Sequence, residues 1–390
     1  VTGRPSPAAV LRRGLRRKRI LVVAGAGGVG KTTVAAALGV QGALLGRRVL
    51  VCTIDPSRRL ATSLGLEGLP AAPHRLELGE DALGELWAMT LDTKRTFDAL
   101  VERYASGEAA RSRILENRFY QHVSSALAGS HEYMAMEKVL ELSADDTFDL
   151  VVLDTPPTRH ALDFLEAPDR LMGFLDTSVL RWFLKPYFAA GRLTLKVATR
   201  TGALALGLVD RFLGLKFLED LSEFFLAFEG MYDGFKQRAA QVHALLRSEK
   251  TGFVLVAAPA SGPVREATFF RRRLREAKMP FLVHVVNRVH PAPARPGGDA
   301  GGEPPGLSPS LREALLRVFE EQRRLAAADR RHLALLREEE DPVVVVPERE
   351  TDVHDLRGLR EVARALLPAP RGSKARGPRA VVRGRGRRPA

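Results

Sequence analysis

The chain has 390 residues, a single cysteine and a formal net charge of +14. One cysteine excludes an internal disulfide framework and a cysteine-built zinc site, and fits a reducing compartment. The charge sits at the two ends: residues 1–19 hold seven Arg or Lys and no acid, residues 368–390 hold eight and no acid, and the rest carries 45 basic and 46 acidic residues, near neutral at −1.

The apolar run Ile20 to Ala24 reads as a buried parallel strand. It is too short for a signal-peptide core. The loop Gly25-Ala26-Gly27-Gly28-Val29-Gly30-Lys31-Thr32-Thr33 follows, then a helix over Val34 to Leu45 stopped by Gly46. Strand, glycine loop, helix is the context in which G-x-x-x-x-G-K-[ST] reads as a P-loop. The glycines let backbone N–H groups converge on phosphate oxygens, and the helix N-terminus adds its own donors. Lys31 would reach the β- and γ-phosphates, and the Thr32 hydroxyl is placed for Mg²⁺.

A second strand, Val49 to Ile54, ends in Asp55-Pro56. Turn signals follow at Gly65, Gly68-Leu69-Pro70 and Pro73, and a third strand spans Leu86 to Leu91, before Asp92. Thr96 to Asp145 has helical spacing with breaks near Gly107 and Gly129. Phe148 to Leu153 reads as another buried strand, ending at Asp154. A second helical block, Ala161 to about Ser248, is rich in Leu and Phe. Its apolar residues either form a subdomain core or leave a groove for apolar segments. Within it, Thr201 to Val209 is closed by Arg200 and Asp210, and no uncharged stretch approaches the roughly 18 residues of a membrane helix.

Strands return at Phe253 to Ala258 and Phe281 to Asn287. A Pro/Gly-rich stretch, Pro291 to Pro309, precedes a long helix from Ser308 or Ser310 to about Glu339, with Glu313 completing a capping box. Val343 to Val346 forms a last strand and Asp352 to Leu367 a last helix. Alternating strands and helices predict a mostly parallel α/β sheet wrapped on both faces. The organisation expected is a disordered basic tail over 1–18, a P-loop domain over 19–367 with a helical subdomain at about 95–146 and 161–248, and a disordered basic tail over 368–390.

In open α/β sheets ligand groups collect at the carboxyl ends of strands. Asp154 is placed as a Mg²⁺-holding acid, with a helix-capping role as the plainer alternative. Asp55 could orient or deprotonate an attacking water, or simply build an Asx-Pro turn. Asp92 reads as structural.

These segments together resemble the ArsA-like branch of the deviant Walker A NTPases, the arsenite-pump and tail-anchored-protein-targeting ATPases. The loop from Gly25 to Thr33 resembles that family's G-K-G-G-V-G-K-T-T, and Asp55-Pro56-Ser57-Arg58 its switch I. Asp154-Thr155-Pro156-Pro157-Thr158-Arg159-His160 resembles its switch II. Val285-Val286-Asn287 resembles the segment whose Asn reads adenine, and Pro347 the loop that closes over the base. The resemblance implies an ATPase in which Asp55 positions water, Thr32 binds Mg²⁺ directly and Asp154 binds it through water. It also implies a homodimer or pseudo-dimeric partner, and an apolar protein segment or membrane protein as client. Asn287-Arg288-Val289-His290 lacks the acid of the guanine-reading N-K-x-D, which favours adenine.

Two departures matter. The family's first loop lysine, which reaches a dimer partner's phosphates, is Ala26 here, and three arginines in the switch segments, Arg58, Arg59 and Arg159, are candidates to replace its charge. The thiolates that hold metalloid in the arsenite pumps, and the cysteine pairs of the eukaryotic zinc clasp, are absent. The basic tails admit nucleic acid or acidic lipid as partners, or plain solvation, and the alternative to an ATPase that gates a client is a nucleotide-switched binding scaffold with little turnover that docks on nucleic acid or acidic membrane through those tails. The expected location is the cytoplasm, peripheral to a membrane at most.

Overall fold

A computed structural model of the chain describes residues 5–55, 58–80, 82–118, 120–121, 130–156, 224, 231–293, 308–337 and 340–368. Eight strands form one sheet: β1 Ile20–Gly25, β2 Arg48–Thr53, β3 His74–Leu76, β4 Glu85–Thr90, β5 Leu150–Asp154, β6 Thr251–Ala257, β7 Phe281–Val289 and β8 Val343–Pro347. Their order is β3-β4-β2-β5-β1-β6-β7-β8. All neighbours are parallel except the edge pair β3–β4. Every residue of β1, β5 and β6 is buried, as expected where helices cover both faces of a parallel sheet.

One face carries α1 Pro7–Arg17, α2 Lys31–Leu44 and α10 Leu356–Leu366. α2 is built largely of small residues, and it needs them. A Cβ on Gly39 would sit 2.4 Å from Val51 Cγ2, and one on Gly42 2.8 Å from Val49 Cγ2. The helix therefore lies hard against β2. α10 packs along it, with Gln41 Nε2 donating to the Ala363 carbonyl at 2.6 Å. The other face carries α6 Ser130–Ala144, α7 Tyr232–Arg247 and α8 Ser261–Glu276 through Met136, Val139, Val242, Leu246, Phe270 and Leu274. α9 Pro309–Arg337 docks its C-terminal part beyond α8, on β7.

The two helical blocks do meet. α4 Thr93–Tyr104 and α5 Glu108–Glu116 share a core with α6, α7 and Phe224, filled by Phe97, Tyr120, Tyr133, Phe224 and Phe235. Arg238 on α7 donates from Nε to Glu137 on α6 at 2.7 Å, tying the blocks together inside the protein. Most of the 161–248 block lies outside the described residues, and so does the choice between groove and core there.

Several expectations are corrected. Residues 7–17 are helical where a disordered tail was expected. Leu11, Gly14 and Leu15 are fully buried, and this small apolar stripe gains its order from the sheet rather than from composition. β3 and α8 join the elements expected, and the short helix α3 Arg59–Ser63 follows Asp55. The cap of α9 is Ser308, whose Oγ accepts from the Leu311 N–H at 3.2 Å. Pro309 then takes the first helical position, so Ser310 and Glu313 do not form a capping box. The last helix starts at Leu356, because Asp355 caps it by accepting from the Gly358 N–H at 2.7 Å. That leaves residues 352–354 outside the helix. Asp92 is structural: it caps α4 by accepting from the Arg95 N–H.

Candidate functional site

Strand register brings the site together. Asp154, the last residue of β5, pairs with Val23 on β1 and with Thr53 on β2. The P-loop leaves β1 two residues beyond Val23, and Asp55 lies two residues beyond Thr53. The carboxyl ends of three adjacent strands thus open onto one cleft of about 510 Å³.

Two glycines of the loop are fixed by geometry. A Cβ on Gly25 would fall 2.0 Å from the Val256 carbonyl oxygen of β6. Gly30 has a left-handed φ of 88°, and a Cβ there would lie 2.3 Å from Asn287 Nδ2. Gly30 precedes α2 without a side-chain cap, so Lys31, Thr32 and Thr33 begin the helix on the cleft wall. The unsatisfied N–H groups of that first turn, with the positive end of the helix dipole, suit an anion.

Lys31 is buried and donates from Nζ to the Ala26 carbonyl at 2.8 Å. Burial lowers its pKa, and the nearby Asp154 carboxylate opposes that shift most strongly. Ala26 points its methyl into the core, so the loop position where relatives of the resemblance carry a lysine has no charge here. Gly27 and Gly28 are exposed, and Val29 is buried.

Asp154 is fully buried. Thr53 Oγ1 donates to its Oδ2 at 3.0 Å, while Oδ1 is buried with no hydrogen-bond partner. Burial pushes its pKa up to about 6, with the Thr32 and Thr53 hydroxyls and Lys31 pulling the other way. An orphaned carboxylate oxygen beside a threonine hydroxyl is a donor set that suits a hydrated Mg²⁺. Thr32 and Asp154 are the residues that would hold it. Asp55 is half-buried; its N–H donates to Thr53 Oγ1 at 3.2 Å, and Arg59 Nη1 approaches its Oδ2 at 3.9 Å. Thr53 therefore links the two acids, a role with no motif signature.

Arg58 and Arg59, both exposed, line the cleft at the start of α3. Pro56, Ser57 and Arg159 lie outside the described residues. Asn287 is buried behind the loop and donates from Nδ2 to the Val29 carbonyl at 3.0 Å. Its observed work is to anchor the loop. Pro347 ends β8 beside Val289, is exposed, and is not part of the cleft lining.

Sequence reasoning missed Thr62, Ser63, Arg288 and the segment Asp352-Val353-His354, all of which line the cleft. Arg288 has a left-handed φ of 61°, and its Nη1 lies 3.4 Å from the Gly28 carbonyl. Its position directly after Asn287 is the one signal that could have found it. Cys52 is buried in β2, and burial pushes its thiol up to about 12, which leaves no thiolate for a metalloid.

Comparison with known proteins bears on the family. A family model described as anion-transporting ATPase matches residues 18–297. A putative arsenical pump-driving ATPase 1 of Aquifex aeolicus is 26% identical over 69% of this chain and 61% of its own length. A putative arsenical pump-driving ATPase of Halobacterium salinarum is 35% identical over 42% of this chain and 26% of its own. The ATPase GET3 of Podospora anserina is 30% identical over 40% of this chain and 44% of its own. The chain thus spans between about a quarter and three fifths of the length of these relatives. With the family match covering most of its length and the P-loop at the head of an eight-stranded, mostly parallel sheet, the chain belongs to the anion-transporting ATPase family.

Proposed function

We propose that this chain hydrolyses ATP with Mg²⁺ and uses the nucleotide state to move the helical subdomain against the sheet, gating an apolar protein segment or a membrane-protein partner. The observation that carries the reading is the cleft lined by Lys31, Thr32 and Asp55, with the buried Asp154 ending β5 between β1 and β2. Lys31 and the first turn of α2 bind the β- and γ-phosphates. Asp55, half-buried at the mouth, orients the attacking water and accepts its proton. Mg²⁺, when bound, neutralises charge on the phosphate oxygens. Arg58 and Arg59 line the chain's own cleft, which supports their supplying in cis the charge that Ala26 lacks. Asn287 supports the loop, and the segment 352–354 on the cleft wall contacts the nucleoside. The family supports ATP as the nucleotide, and the relatives named arsenical pump-driving ATPase support an energy-coupled partner.

An Asp55→Asn variant tests the client. Held with ATP, it should retain a protein bearing an apolar segment through purification, and Lys31→Ala should lose it. Equal recovery of the same protein on both variants, or on neither, contradicts nucleotide gating.

A further inference from the structure

The structure turns part of the expected N-terminal tail into an ordered surface. α1 is capped by Ser6, whose Oγ accepts from the Ala9 N–H at 3.2 Å, and starts with Pro7. Its apolar side is consumed by the core: Leu11 and Leu15 are fully buried, and a Cβ on Gly14 would meet Leu282 Cδ2 at 2.4 Å. The outward side is Arg12, Arg13, Arg16 and Arg17, at i, i+4 spacing in two rows, and none of these four pairs with an acid among the described residues. They line a groove of about 610 Å³ that Pro368 also lines. Pro368 is where the second basic segment begins, with eight Arg or Lys and no acid up to residue 390. α1 and Pro368, after which the second basic segment follows in sequence, therefore line one groove on a body whose remaining charge is near neutral.

We propose that this groove binds the phosphate backbone of single-stranded nucleic acid, as a site separate from the nucleotide cleft. Two features favour a strand over an anionic bilayer. The groove is concave, where a bilayer surface is flat. α1 has no apolar face left to insert, and membrane-surface helices rely on one. Successive arginines along each row are one helical turn apart, about 5.4–6 Å, close to the spacing of phosphates along a strand. Binding of this kind is sequence-tolerant and steeply salt-dependent.

The test is fluorescence anisotropy of a labelled 20-nucleotide single strand, as DNA and as RNA, with the full chain across a salt series. The quadruple variant Arg12→Ala, Arg13→Ala, Arg16→Ala, Arg17→Ala should bind at least ten-fold more weakly at 100 mM salt. Its slope of log affinity against log salt should fall by up to about 2.8, since each phosphate contact on a single strand contributes about 0.7. ATP hydrolysis should be unchanged, because no substituted residue touches the cleft. If the quadruple variant fails to fold, the double variant Arg13→Ala, Arg17→Ala, both solvent-facing, carries the same comparison with about half the slope change. Unchanged affinity and slope in the variants overturns the proposal, even if a chain ending at Pro368 loses binding, because the tail alone would then be responsible. Binding to phosphatidylserine vesicles with the same arginine dependence, and none to either strand, overturns it as well.

Discussion

The nucleotide cleft and the helical subdomain are held together in opposite ways. The cleft buries charge: Lys31 and Asp154 are both out of water, and hydroxyls, a backbone carbonyl and each other compensate them. The subdomain buries rings: Phe97 lies edge-on to Tyr120 with centroids 5.5 Å apart, and Phe235 sits 6.0 Å from Phe97. Charge at fixed positions is useful only where a ligand will repay its burial, whereas aromatic packing stabilises without specifying chemistry. Substitutions should therefore separate by sign, with subdomain changes lowering stability at unchanged nucleotide binding and cleft changes costing nucleotide binding or turnover without lowering stability.

The largest effect is expected at Phe235. Phe235→Ala empties a fully buried ring position and should destabilise by about 3–5 kcal/mol. Denaturant melts measure this, and equal stability would mean that the subdomain core is not cooperative with the domain. Residual ATP affinity in the folded fraction should match the parent.

Asp154 comes next, and its sign is opposite. Its folded pKa of about 6 exceeds the ordinary value of 3.8, so the folded state holds the proton more tightly. The stability this group contributes is present below about pH 4 and is lost as pH rises through about 6. Asp154→Asn should remove that slope and stabilise the nucleotide-free protein at pH 7 by up to about 3 kcal/mol. Melts at pH 4, 5, 6 and 7 decide it; a variant with the parent's pH slope would show that Asp154 is not the group responsible. The same variant should lose Mg²⁺-dependent turnover, a trade of stability for function.

Lys31→Ala removes a charged hydrogen-bond donor to phosphate, about 1.5–3 kcal/mol or roughly ten- to a hundred-fold in ATP affinity. Titration calorimetry reads it, and parental affinity would refute the loop assignment. Arg58→Ala and Arg59→Ala should each leave ATP affinity little changed while single-turnover hydrolysis falls about ten-fold in at least one of them. Unchanged turnover in both would mean that the charge missing at Ala26 is not replaced from this wall.

How much was legible before the structure follows the same division. The loop could be read because its glycine spacing and its strand-loop-helix setting lie within one short segment, and the buried strands announce themselves as apolar runs; the contacts that require Gly25 and Gly30, with Val256 and Asn287, come from far along the chain. α1 could not, since only three buried positions interrupt its arginines, and the sheet that orders them lies far along the chain. The cleft wall at 352–354 depends on where α10 starts, and that is decided by one capping aspartate, Asp355. Thr53 was invisible because a threonine ending a strand carries no chemical signature until register places it between two acids. Pro347 was selected by resemblance alone and Asn287 by resemblance and by its place at a strand end; the structure places the first outside the cleft and gives the second a visible structural job.

The central claim is that this cleft hydrolyses ATP through Asp55, and steady-state phosphate release tests it most directly. With ATP and Mg²⁺ the parent should release phosphate, chelation of Mg²⁺ should stop it, and Asp55→Asn should lower the rate at least a hundred-fold, on the scale of a lost general base, with ATP affinity within about three-fold of the parent. Phosphate release by Asp55→Asn at the parent's rate would contradict the account.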